Sequence, residues 1–163
     1  MVKLYPQENC QFPAVVCVTG ATSFVAGPII ERLLLAGEAA SHPRYSSRSL
    51  STDPLVWLGH VVHGTVRDPG RDDLIAPLRS MPGAADRLKI FKADLLVPGS
   101  FDEAMAGCEF VIHVASPFVM NVKPKDVQAK LLDPAVKGAE NVLESVNRTE
   151  TVKRQVLRTS IAT

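Results

Sequence analysis

Apolar and polar positions along the chain alternate between two periods. Five short runs rich in β-branched residues read as strands: Ala14–Val18 (AVVCV), Val61–Val66 (VVHGTV), Leu88–Phe91 (LKIF), Phe110–Ala115 (FVIHVA) and Gln155–Thr159 (QVLRT). Most lack a clean apolar–polar alternation, which is the pattern of strands covered on both faces. Between them lie stretches with helical spacing. Phe24 to Ala36 carries Ile29, Ile30, Leu33 and Leu34 as an apolar stripe, with Gly37 as its stop signal. Asp72 to Arg79 is a short second helix. Ser100-Phe-Asp-Glu103 has the form of a capping box and opens a third. Asp126 to Val146 places Leu131, Leu132, Val136, Ala139, Val142 and Leu143 near one side, with a bend expected at Pro134. Strand–helix alternation with short links predicts right-handed βαβ units, hence an α/β fold with a doubly wound, mostly parallel sheet.

One stretch breaks the pattern. Residues 38–59, EAASHPRYSSRSLSTDPLVWLG, hold five serines and two prolines and follow neither period. Helix-to-strand links in such folds usually run to about 2–6 residues. Without these 22 residues LLLAG would join HVVHGTVRD directly, so the segment is expected to be an exposed, poorly ordered insert. The expected organisation is a tail over 1–13 and a single domain over 14–163. A length of 163 residues suits one domain with a real core.

Composition narrows the function classes. Apolar residues make up 46% and charged residues 21%, with a net charge of +1, so neither nucleic acid nor an anionic membrane is indicated as a partner. No apolar run reaches the roughly 18–20 residues of a membrane helix. Cys10, Cys17 and Cys108 are odd in number and scattered, which suggests a reducing, cytoplasmic setting without a disulfide framework or metal site. Cys17, inside a strand, is expected to act as a small hydrophobe.

Candidate chemistry begins at VCVTGATSFVAG, residues 16–27. A dinucleotide-binding turn must reverse tightly, bring backbone close to a pyrophosphate, and pack the new helix on the strand. Amide N–H groups at that helix's start then hold the phosphates. Gly20 can provide the first property and the small Ala26 the third, while Ser23 stands where a second glycine is usual. A Cβ there crowds the phosphate; a left-handed backbone at that position would cost about 1–2 kcal/mol more. The serine hydroxyl can offset part of this by donating to phosphate. Thr22, Ser23, Phe24, Val25 and Ala26 are the remaining candidates of the turn. A residue reading the adenosine ribose belongs about 20 positions further on. Arg67 lies 41 positions beyond Ala26, or 19 once residues 38–59 are set aside. An arginine suits a 2′-phosphate, so Arg67, with Arg71 nearby, favours NADP, with NAD as the alternative left open by Asp68.

Together, VTGATSFVAG, GTVRDP at 64–69, ADLLVPGSFDEAMAGC at 93–108 and VIHVASP at 111–117 resemble the extended short-chain dehydrogenase/reductases. The similarity is strongest to the branch of dihydroflavonol 4-reductase and cinnamoyl-CoA reductase, and it runs from about Ala14 to the last residue. It implies a Rossmann-type domain, here cut short after about the fifth strand. It also implies an NADP-dependent reduction of a small carbonyl substrate. By the same resemblance Arg67 holds the 2′-phosphate, and Asp94 and Leu95 lie beside the adenine. Val114, Ala115 and Ser116 follow the strand along which the ribose and nicotinamide pass, and Ser160 matches the serine that binds the substrate carbonyl. Arg158 and Thr159 replace the usual residues before it. His113 is expected to be a packed core histidine.

The family's proton donor is the tyrosine of a Tyr-x-x-x-Lys helix. The only tyrosines, Tyr5 and Tyr45, are followed four residues on by Asn9 and Ser49. The leading expectation is therefore the cofactor-binding portion of a reductase, from a truncated or mis-joined coding sequence. The competing readings are an inactive dinucleotide-binding module and a structural remnant with an open sheet edge. A methyltransferase using S-adenosylmethionine fits poorly, because such sites want an acid where Arg67 stands.

Overall fold

A computed structural model of the chain describes residues 13–36, 59–117, 123 and 126–158. The expected tail up to residue 12, residues 38–58 of the expected insert, Gly37 and Ser160 lie outside the described residues.

Five strands form one sheet: β1 (Val15–Thr19), β2 (Val61–Val66), β3 (Leu88–Lys92), β4 (Phe110–His113) and β5 (Arg154–Leu157). Their order is β3-β2-β1-β4-β5 and every pair is parallel. The chain thus runs outward from β1 in both directions, and the carboxyl ends of β1 and β4 flank the point where the order reverses.

Burial explains why the central strands lack alternation. On one face Val16 and Val18 of β1 pack with Val62 and Val66 of β2. Helices α1 (Ala26–Leu34) and α2 (Asp72–Arg79) cover them with Ile30, Leu34, Ile75 and Leu78. On the other face Cys17 and Val111 meet Phe101, Met105 and Val142, which come from α4 (Asp102–Met105), its approach, and α5 (Asp133–Arg148). Two-sided cover removes the reason for a polar face. The edge strands depart from that expectation: β5 leaves Val156 and Leu157 about half exposed.

The helices show where local signals were outweighed. Helix α1 begins at Ala26, two residues later than its apolar stripe suggested, because residues 20–25 form the turn before it. Helix α2 keeps its expected bounds despite Pro77, whose missing N–H costs only the bond to Asp73 in the first turn. The capping box at Ser100 does not form. Ser100 Oγ donates to the Asp94 carbonyl at 2.7 Å and accepts the Asp94 N–H at 3.1 Å, so α4 is a single turn without a side-chain cap. An unforeseen turn, α3 (Ala84–Arg87), brings the Arg87 guanidinium within 3.0 Å of the Leu34 carbonyl, an end of α1 that would otherwise lack a donor. Ahead of α5, residues 128–132 form a wide π turn, and Pro134 sits at the start of the α-helical part. A proline has no N–H to give to the carbonyl four residues back, so the expected bend takes this form.

Candidate functional site

The turn after β1 is shaped by two threonines. Thr19, the last residue of β1, takes two N–H groups on its Oγ1, from Val114 and Ala115, each at 3.1 Å. With both lone pairs occupied, its own O–H donates to His113 Nδ1 at 2.7 Å. Thr65 of β2 accepts the Gly20 N–H on its Oγ1 at 3.2 Å and the Ala21 N–H on its carbonyl at 2.8 Å. These bonds fix the ends of three strands around Gly20.

Gly20 has φ +67°, and a Cβ built on it would lie 3.0 Å from both Cα and Cβ of Ala115. A side chain at this position is therefore strained, on backbone and steric grounds alike. Its N–H groups divide into two sets. Those of Gly20, Ala21, Ser23 and Ala26 are used within the protein. Those of Thr22, Phe24 and Val25 stand outside that set, and they precede α1, where the dipole favours an anion. Ser23 accepts the Ala26 N–H on its Oγ at 3.3 Å, which leaves its hydroxyl hydrogen to donate.

A cleft of about 400 Å³ opens at the carboxyl ends of the strands. Gly20, Thr22 and Ser23 line it with Arg67, Asp94, Leu95, Ala115 and Ser116. A neighbouring hollow of about 330 Å³ shares Thr22, Val66 and Arg67 with the cleft and adds Asp68 and Arg71. Of the other candidates, Val114 and Ala26 are buried in the core and are not among the lining residues, Val25 packs on the core, and Phe24 is 96% exposed.

Charge in the second hollow is uneven. Arg71 is held by Asp73 through Nε at 2.9 Å and a terminal nitrogen at 2.7 Å. That hydrogen bond from Arg71 lowers the pKa of Asp73 below its ordinary value. Arg67 makes no ion pair among the described residues, so its exposed guanidinium is the one available for an anion. The expectation that Arg71 adds to Arg67 is weakened accordingly, although an exposed pair of this kind is worth only about 0–1 kcal/mol.

The far wall is pinned from below. The Leu95 carbonyl accepts from Asn141 Nδ2 at 2.6 Å, and Asp94 Oδ1 accepts the Leu96 N–H at 2.8 Å. Thr19, Thr65, Ala93 and Phe101 were not singled out by sequence reasoning. Threonine and alanine within or beside strands read simply as strand and core residues, and Phe101 as the apolar residue of a capping box.

His113 is buried, and burial lowers its pKa below the ordinary value. The Thr19 O–H facing Nδ1 adds a reason, since a proton there would set two donors against each other. A histidine that protonates less readily folded than unfolded contributes stability that is complete above about pH 6.5 and is lost as pH falls below it. Thermal melts at pH 7.5 and 5.5 are expected to show a drop of a few degrees that is smaller in His113→Gln. An equal drop in both proteins would contradict this assignment. Among the described residues no cluster of three or more acids, histidines or cysteines could hold a metal, and no helix is long and apolar enough to cross a membrane.

No family model matches the chain. A cinnamoyl-CoA reductase of Medicago truncatula is 42% identical over 148 residues, which is 91% of this chain and 38% of that protein. A dihydroflavonol 4-reductase of Gerbera hybrida is 36% identical over 151 residues, 93% of this chain and 35% of its own. The crystal structure of vestitone reductase from alfalfa (Medicago sativa) superposes with a TM-score of 0.57 at 30% identity, over 88% of this chain and 35% of that one. The chain spans little more than a third of the length of the curated relatives it matches.

Proposed function

The chain belongs with the extended short-chain dehydrogenase/reductases over the part of them that it spans, and on that premise we propose that it is the NADP-binding portion of a cytoplasmic oxidoreductase that reduces a carbonyl group. The observation that carries this reading is an exposed arginine, without an ion pair among the described residues, that lines one cleft with a glycine turn at the switch point of a parallel sheet. The proposed unit is residues 14–163, with 1–13 as a tail and 38–59 as an insert.

In this reading the amides of Thr22, Phe24 and Val25 hold the pyrophosphate, helped by the Ser23 hydroxyl. Ala26, too small to hold the helix away, lets α1 pack close beneath them. Arg67 takes the 2′-phosphate. Asp94 and Leu95 border the adenine, while Val114, Ala115 and Ser116 guide the ribose and nicotinamide. Ser160 is assigned to the substrate carbonyl by its match to the family's motif. The bound nicotinamide supplies the hydride. The chain's own residues bind and orient the cofactor, and the hydrogen bonds of Thr19 and Thr65 keep the turn in place. No residue among these 163 is assigned the substrate's proton, so binding without turnover is the expected behaviour of this chain alone.

Calorimetric titration with NADPH and NADH tests the reading. NADPH is expected to bind at least about tenfold more tightly, a difference of about 1.4 kcal/mol. Equal affinities would remove the role of Arg67, and binding of neither would end the proposal. Ser23→Gly is expected to tighten NADPH binding about fivefold or more by letting the backbone approach the phosphate. Its loss of the Ala26 contact should cost only a few tenths of a kcal/mol in stability. An unchanged NADPH affinity would show that Ser23 does not impair the site.

A further inference from the structure

Outside the cleft, the interior holds a cluster that the proposed function does not use. Cys17 on β1 and Cys108, just before β4, are both 0% exposed and belong to one core cluster with Phe101, Met105 and Val111. Cys17 sits opposite His63 in the β1–β2 register and Cys108 Sγ reaches the same histidine, so the two cysteines share one buried neighbour. Cys108 Sγ also lies 3.4 Å from His63 Nδ1 and 3.3 Å from the Ala104 carbonyl. His63 Nδ1 is itself 2.8 Å from that carbonyl. A carbonyl only accepts, so Nδ1 carries the proton and acts as a donor toward both oxygen and sulfur. The Cys108 sulfur is thus faced by the His63 N–H, while its own S–H is directed at the Ala104 carbonyl.

We propose that Cys17 and Cys108 form an oxidisable dithiol that hydrogen peroxide converts to an intramolecular disulfide. Cys108 is the attacking sulfur, because the His63 N–H that faces it stabilises a thiolate there. Hydrogen bonding from Cys17 and His63 draws the Cys108 thiol down to about 6, against the opposing effect of burial. The Cys17 thiol is pushed up by the same contact and by its burial, so it remains protonated. In the first step the Cys108 thiolate attacks peroxide, its O–O bond breaks, and sulfenic acid and hydroxide form. In the second, the Cys17 sulfur displaces the sulfenic oxygen, which leaves as water. Together two thiols lose two electrons and one peroxide becomes two waters.

Access is the remaining requirement. The cover over Cys108 is thin: α4 is a single uncapped turn, and Gly107 beside the thiol has φ +74° with open space around it. Local opening of so short an element costs far less than global unfolding.

The test uses the unaltered chain, treated with hydrogen peroxide under native conditions and then mapped by peptide mass spectrometry. The expected result is a linked Cys17–Cys108 peptide, a loss of two free thiols per chain, and full recovery with dithiothreitol. Formation should outpace global unfolding measured by hydrogen exchange. A disulfide involving Cys10, sulfinic acid on Cys108 without a link, or thiols that react only once the chain unfolds would each overturn the proposal. None of these outcomes depends on whether the cleft binds a dinucleotide.

Discussion

Replacing Arg67 by glutamate is expected to weaken NADPH binding about a hundredfold or more while leaving NADH within a few-fold. The loss has two sources. Hydrogen bonds from a guanidinium to a charged phosphate are worth about 1.5–3 kcal/mol. A carboxylate in its place then repels the 2′-phosphate, by about 1 kcal/mol per charge pair at 4 Å in water and more near a protein surface. Arg67 is exposed, so screening trims both contributions, and the NADPH/NADH ratio should fall further as salt is added. Arg71 cannot fully compensate while Asp73 holds it. Parallel titrations of both dinucleotides against wild type and Arg67→Glu decide the matter. Equal losses for both cofactors would mean that the variant damages the fold and not the phosphate contact.

The second large effect concerns two glycines seven residues apart that sequence reading alone does not separate in kind. Gly20→Ala forces a Cβ into a left-handed backbone and against Ala115, both unfavourable. The backbone cost is about 1–2 kcal/mol and the overpacking about 1–3 kcal/mol, so a total of about 2–5 kcal/mol is expected. At about 2–4 °C per kcal/mol for a domain of this size, melting should fall by roughly 4–20 °C. Gly27→Ala is the internal control. Its Cβ meets nothing within 4 Å and lies in α1, so helix propensity should raise stability by up to about 1 kcal/mol. Differential scanning calorimetry of the two variants should show opposite signs. Similar melting temperatures for both would contradict the close approach of Gly20 to Ala115.

The strands were legible because two-sided burial leaves a continuous apolar run, and β2 matches its expected bounds while β1, β3 and β4 shift by one or two residues at their ends. The turn was legible too, since Gly20 stands where the chain must reverse. What escaped detection depends on partners distant in sequence. Thr19 works through residues 94 and more positions away, and Thr65 through a glycine 45 positions back. Ser100 looked like a cap but is taken by Asp94, a competition that local spacing does not reveal. The stripe read on α5 was only half right. Val142 is fully buried, but Leu132, Val136 and Leu143 are about half exposed, and the inward positions are Gly138, Val142 and Ser145. A Cβ on Gly138 would lie 3.1 Å from Leu95, so the close packing of this helix selects small residues that a hydrophobic pattern passes over.

The most direct measurement is an NMR titration of the ¹⁵N-labelled chain with NADPH, following backbone amides. If the turn before α1 holds the pyrophosphate, the resonances of Thr22, Phe24 and Val25 move most, together with those around Arg67. Amides at the turn that stay fixed while signals elsewhere shift would place the dinucleotide outside this cleft and contradict the account.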